Sequence, residues 1–409
     1  MKKINIDIIG KNIKIVAFFI YLLMYYMFGE NPEKIKYSEI VLLFFCGLEC
    51  LEIIKMNKIK YCAPIIIFFV FTFYSFLSNF WAINAQLAID RAKTLFVLSI
   101  FLLITYNFFL NIKNAEEILL KIIMYAGIFF SIYVIMYYGI AEYFYKLING
   151  ERIGAEINNV NAIGLQTSIS VIIAIFYGLY KNKKYYFLLS IIPLIVSLGT
   201  GSRKVIVLIA VGVLLLFLLK REEKINIVHI SKKIILFFIV CFLFVCIAKM
   251  PIFSTVFERF QMSINSITGD GKVDHSTRLR EEFIKIGIKQ FCETPILGIG
   301  IGNSGYITEP LTGYFTYLHN NYVELLATTG VIGFSLYYSV YVYIIIKSIK
   351  LLKSKNMYIN IALIITILDA ILEYGMVSYY SKATYIYILL GLIAVKKGRK
   401  NKWIKWLNI

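Results

Sequence analysis

Charge, proline, cysteine and histidine are all scarce in this chain, and each shortage excludes something. Charged residues are 16% of the 409 positions against 59% hydrophobic, and mean hydropathy is +0.75, which rules out an ordinary soluble domain. Only six prolines interrupt the apolar runs. Of the cysteines, Cys46, Cys50, Cys62, Cys241 and Cys246 lie in or near those runs and Cys292 stands apart. That pattern offers neither a disulfide framework nor metal-ligand spacing. Lysine and arginine outnumber acids 43 to 24, giving a net charge of +19. Such a balance could suggest a nucleic-acid binder, but the basic residues fall in short clusters between apolar runs, as membrane topology requires. Nucleic acid is excluded as a partner; membrane lipid is implied.

What is present is a series of apolar windows of about the 20 residues a bilayer crossing needs. Twelve spans are expected, near 14–29, 38–54, 61–79, 93–110, 118–145, 162–180, 185–201, 204–219, 233–248, 325–346, 357–375 and 383–395. The fold class is therefore all-α integral membrane, one polytopic domain over 1–409, since open sheets leave backbone groups unsatisfied in lipid. The start, MKKINIDIIGKNIK, has the basic flank of a signal anchor and no small-residue cleavage site, so it is expected to be retained. Placing the N-terminus in the cytoplasm makes alternate loops basic, notably Lys55–Lys60, Lys181–Lys184, Lys347–Lys355 and the tail from Lys396. Both termini are then cytoplasmic, and one long extracytoplasmic loop, 249–324, joins spans nine and ten.

That topology sends Arg152, Arg203, Arg278, Arg280 and His319 to the same outer face. An arginine at a span boundary commonly snorkels to lipid headgroups. Several together on the face that disfavours positive charge suggest a lipid-linked phosphate, which guanidinium binds bidentately. Within the long loop, Ser276 or Thr277 can cap a helix ending before Pro295, with Leu279, Phe283, Ile286 and Gly287 on one face and Glu281, Lys285 and Lys289 opposite. Arg278 and Arg280 point to different sides, so only one serves a common site. Gly300-Ile301-Gly302-Asn303-Ser304-Gly305 matches GxGxxG without its strand and helix, and reads instead as a tight turn near a ligand. His319 precedes Asn320, Tyr322 and Glu324 at the mouth of span ten. Its ring can accept a sugar hydroxyl proton near neutral pH. His275 sits in a Gly/Asp/Lys-rich stretch and His229 faces the cytoplasm. Asp369 and Glu373, toward the outer half of span eleven, are functional candidates or partners of a nearby Lys or Arg.

At these residues the chain resembles the O-antigen ligase and polymerase superfamily of bacterial membrane glycosyltransferases. Four stretches carry the resemblance: Arg152, Gly154, Asn161 and Ala162, with Val160 where proline is usual; Ser202-Arg203; Pro295, Gly298, Gly300, Gly302 and Asn303 downstream of an arginine; and His319, Asn320, Tyr322, Glu324, Gly330 and Gly333. Spacing to Pro295 favours Arg280 as that arginine, while the Ser-Thr-Arg-Leu context favours Arg278.

The resemblance implies an enzyme of the bacterial cytoplasmic membrane acting at its outer face on undecaprenyl-pyrophosphate-linked glycans, with no cofactor and no metal. Arg203 and Arg280 (or Arg278) would hold the pyrophosphate leaving group, and His319 would orient or deprotonate the acceptor. Arg152 and Asn161 would contact donor or acceptor, with Asn320, Tyr322 and Glu324 beside them. The acceptor stays open: another lipid-linked glycan for a polymerase, lipid A-core for a ligase, or protein. A twelve-span transporter or flippase is the competing class, and would show repeat symmetry and ionisable residues near the midplane.

Overall fold

The computed structural model describes residues 2–220, 231, 275–354 and 356–406. The expected span at 233–248, His229 and the first part of the long loop lie outside them. In chain order the helices are α1 (Lys2–Phe28), α2 (Ile35–Met56), α3 (Ala63–Leu77), α4 (Ala85–Leu110), α5 (Ala115–Tyr138), α6 (Ile140–Ile148), α7 (Val160–Tyr180), α8 (Tyr185–Leu189), α9 (Ile191–Gly199), α10 (Arg203–Leu219), α11 (His275–Glu293), α12 (Gly305–Thr312), α13 (Asn321–Leu351), α14 (Met357–Glu373) and α15 (Lys382–Trp406). The described residues are all-helical and contain no strand. Among the described residues, five segments are long and apolar enough to cross a membrane: Ile9–Phe28, Ala63–Phe80, Ala115–Tyr138, Val160–Tyr180 and Asn321–Leu351.

Several expected spans take a different local form, each with a physical cause. The apolar run at 185–201 is split into α8 and α9. Pro193 lacks an amide hydrogen and its ring crowds the carbonyl four residues back, which is Leu189, the last residue of α8. The run at 118–145 bends at Gly139, which adopts φ +80°, and α6 leaves with Tyr143 and Leu147 turned inward. Charge within α2 is neutralised rather than absent: Lys14 of α1, itself buried, lies 2.5 Å from the buried Glu49 and also bonds Glu52. Pairing is how an ionised group persists at such depth.

The chain forms two compact units, each built from two separate segments. In the first (1–57 and 114–264), α7 is enclosed by α5, α9 and α10. Small residues allow that approach. A Cβ on Gly127 of α5 would fall 2.6 Å from Ser170 Cβ, and one on Gly164 of α7 would fall 2.4 Å from Val205 and 2.9 Å from Thr200 Oγ1. In the second (58–113 and 265–409), α13 packs on α3, α11, α14 and α15, while α15 also meets α4.

Candidate functional site

In the first unit the close crossing at Gly164 brings the start of α7 against the α9–α10 turn. Asn159 caps α7 by accepting from the Asn161 amide at 3.0 Å, which leaves the Asn161 side chain free to face that turn. Its Oδ1 accepts from Ser202 Oγ at 3.0 Å and from Arg152 Nη2 at 3.3 Å. Arg152 Nε also donates to the Thr200 carbonyl at 3.0 Å, and the Ile153 amide donates to Gly199 O at 3.1 Å. The segment carrying Arg152 is thus stitched to the turn carrying Ser202-Arg203. Arg203 is the first residue of α10, half-buried beside Ser202. The far side of the same loop is held by Glu156, which accepts from the Tyr138 hydroxyl. That bond holds the Glu156 carboxyl below its usual range. Arg152 and Asn161, nominated from one sequence stretch, are thus hydrogen-bonded to the turn that leads into Arg203, nominated from the next.

In the second unit the centre is the turn before α13. Asn320 caps that helix, its Oδ1 accepting from the Val323 amide at 3.1 Å. Glu324, 2% exposed, accepts from the Leu318 amide at 2.9 Å and from Ser304 Oγ at 2.7 Å. Both carboxylate oxygens are therefore spent on holding the residue before His319 and the end of the glycine turn. Between these anchors His319 adopts φ +55°, a left-handed conformation uncommon outside glycine. Such strain persists only where the surroundings over-determine it, and it clusters at functional sites. The imidazole lies parallel to the Phe283 ring (centroids 5.5 Å, 20°) and against Tyr317 at 4.3 Å.

Phe283 belongs to α11, which runs where the sequence expected a helix. It begins at His275, so Ser276 and Thr277 lie inside its first turn instead of capping it. Its apolar face, Leu279, Phe283 and Ile286, packs on Leu318, Val323 and Ala327. Gly287 permits the contact, since a Cβ there would fall 2.4 Å from Val323. Arg280, half-buried, is one turn before Phe283 on the same helix. Arg278 is exposed and turned to Glu282 at 3.7 Å.

The glycine turn has a use that its sequence did not disclose. Gly330 takes φ +61°, ψ −170° inside α13 and breaks it. The freed groups are met by the turn: Ile299 N donates to Ala327 O at 3.1 Å and Val331 N to Pro295 O at 2.9 Å. A Cβ on Gly298 would fall 2.4 Å from the Thr328 carbonyl carbon, and one on Gly330 2.2 Å from Ile296 O. Asn303 completes the lock, accepting from Asn84 N at 2.7 Å and donating to Asn84 O at 3.3 Å. Gly298 and Gly330 are thus required by the close approach of protein backbone.

Tyr322 turns to α14, the helix that carries Asp369 and Glu373. The Tyr322 hydroxyl donates to Ala370 O at 2.7 Å and its ring stacks on Tyr338 at 4.7 Å. Asp369 and Glu373 are bonded by tyrosine hydroxyls, Tyr341 to Asp369 at 2.7 Å and Tyr337 to Glu373 at 2.9 Å, with Ser378 on Glu373 at 2.7 Å. Among the described residues they form no ion pair with Lys or Arg.

Arg91 is the residue sequence reasoning missed. Its guanidinium lies 3.7 Å over the Tyr380 ring, against Gly302, and is the cation that acts on Glu324. The available signal was its place just before the expected span 93–110, in a loop that the expected topology puts on the same face as the other four arginines.

No curated protein matches the chain. Residues 186–338 match the model of the O-antigen ligase family, a stretch that contains Arg203, Arg278, Arg280 and His319.

Proposed function

We propose that this protein transfers or polymerises undecaprenyl-pyrophosphate-linked glycans at the outer face of the bacterial cytoplasmic membrane, in cell-surface polysaccharide biosynthesis. The observation that carries the proposal is His319. It is held in a strained turn by Glu324 and Asn320, flanked by two aromatic rings, one of them Phe283 of the helix that carries Arg280. In the proposed step an acceptor hydroxyl oxygen attacks the anomeric carbon of the donor sugar from the face opposite the pyrophosphate. The C–O bond to pyrophosphate breaks with inversion. The hydroxyl proton passes to the imidazole of His319, and the departing undecaprenyl pyrophosphate carries the bond electrons.

Arg203 and Arg280 are assigned to that developing charge, because fixed cations in a poorly hydrated site act on the transition state more than on the neutral sugar. The guanidinium groups supply the positive charge, so the proposal needs no metal. Arg152, whose Nη2 and Nε are aimed by Asn161 and Thr200, is assigned to polar groups of donor or acceptor. Asn320, Tyr322 and Glu324 have their polar atoms engaged within the protein and act here by positioning rather than by contact.

The test is glycan transfer by the full chain purified and reconstituted in liposomes, with a pyrophosphate-linked oligosaccharide as donor. Separate reactions supply a second lipid-linked repeat, lipid A-core, or a protein acceptor. Product with one of them names the branch. No product with any, together with movement of the donor across the bilayer, would replace transfer by transport.

A further inference from the structure

The second unit carries a cavity of about 410 Å³ at the ends of its helices away from His319. Helix α3 runs from Cys62 and Ala63, which line the cavity, to Tyr74, which bonds the broken stretch of α13. Helix α13 runs from the His319 turn to Tyr343 and Lys347 on the cavity wall. Lys347, Lys396 and Arg399 converge on this space with Tyr106 and Tyr343, above the apolar side chains Leu392 and Val395. No acidic residue lines it.

Two neighbouring lysines are committed to structure. Lys397 Nζ donates to the carbonyls of Leu110 at 3.3 Å and Ile112 at 2.7 Å, satisfying the exposed end of α4. The Lys60 ammonium bonds Asn111. By contrast, Lys347, Lys396 and Arg399 pair with no carboxylate among the described residues. Lys347 and Arg399 flank the Tyr343 ring, 5.9 and 6.0 Å from its centroid. Tyr106, a fully buried residue beside Cys62, forms part of the wall. A solvated cluster of lysines would not need a cavity.

We infer that this cavity binds the phosphate group of an anionic membrane lipid, on the face of the membrane opposite the transfer site. Convergent cations match phosphate oxygens. The basic charge pattern places these helix ends at the cytoplasmic surface, where anionic headgroups and basic pockets meet. Apolar Leu392 and Val395 at the wall, with the exposed Tyr61 beside them, suit a glycerol backbone and the start of an acyl chain better than a free ion. This site is independent of the transfer reaction.

The test uses the full chain in phosphatidylcholine nanodiscs titrated with short-chain phosphatidylglycerol, with bound lipid counted by native mass spectrometry. The wild type should bind phosphatidylglycerol saturably. The Lys396→Gln/Arg399→Gln double variant should bind it at least about tenfold more weakly. Arg399→Lys should recover most of the affinity, which separates lost contacts from lost folding. Equal affinity in the wild type and the double variant, or equal retention of phosphatidylcholine, overturns the site. A parallel arm titrates inorganic phosphate: failure to displace the lipid assigns a headgroup, and displacement with the same sensitivity to the variants assigns a soluble phosphate instead.

Discussion

Replacing Glu324 should loosen the His319 turn by an amount that can be worked from its two hydrogen bonds. Glu324→Ala orphans the buried Leu318 amide and the Ser304 hydroxyl, both now bonded to a carboxylate. A hydrogen bond to a charged group contributes roughly 1.5–3 kcal/mol, and Ser304 can turn its hydroxyl elsewhere, so about 3 kcal/mol of local stability is at stake. Local opening of the turn should then be about a hundredfold more frequent. Glu324→Gln should do much less. Its carbonyl can keep the Leu318 amide and its NH2 can donate to Ser304 once the hydroxyl rotates, leaving a deficit of roughly 1 kcal/mol. Hydrogen exchange of the segment from Tyr314 to Asn320 measures this directly, in wild type and both variants, without any substrate. The expected order is Ala fastest, Gln intermediate, wild type slowest, with transfer rates falling in the same order. Identical exchange in all three would refute the idea that Glu324 positions the turn.

The remaining predictions rest on separate contacts. Arg280→Gln should reduce transfer by about a hundredfold or more, in the range seen when one electrostatic stabiliser is removed. Arg278→Gln, at an exposed pair, should change it by less than about fivefold. Gly330→Ala should cost at least about 3 kcal/mol and be read as lost thermal stability, because the backbone region is close to glycine-only and the new Cβ meets Ile296 O. Gly313→Ala, also at positive φ but with nothing near its Cβ, should cost about 1 kcal/mol. Glu156 carries a carboxyl lowered by the Tyr138 hydroxyl. Its contribution to holding the Arg152 loop is therefore full above the ordinary glutamate range and disappears as pH falls through the lower folded value. Limited proteolysis of that loop should accelerate only in that acid window, and Tyr138→Phe should abolish the pH dependence.

How much of this was legible in the sequence depends on how local each feature is. The helical class follows from apolar run length, and the amphipathic face of α11 from residue spacing alone. Pro193 even marks where α8 must end. The grouping of His319, Asn320 and Glu324 was legible because the cap and the carboxylate lie within one turn of each other. Their division of labour was not: Glu324 faces inward to Leu318 and Ser304, a choice set by the distant glycine turn. Gly330 looks like any small residue in a span until Pro295 and Ile299 arrive to pair the groups it frees. Arg91 was missed for the same reason, since its neighbours Tyr380, Gly302 and Glu324 are far along the chain. The choice between Arg278 and Arg280 was unresolvable by spacing; Arg278 is exposed beside Glu282, and Arg280 is half-buried one turn before Phe283.

The most direct measurement of the central claim is the single-turnover rate of glycan transfer in liposomes by wild type, His319→Ala and Arg203→Ala, each shown by hydrogen exchange to keep its helices. The account predicts product from the wild type and a loss in each variant of about a hundredfold or more, the scale of a missing general base or charge stabiliser. Undiminished transfer by correctly folded His319→Ala would contradict it.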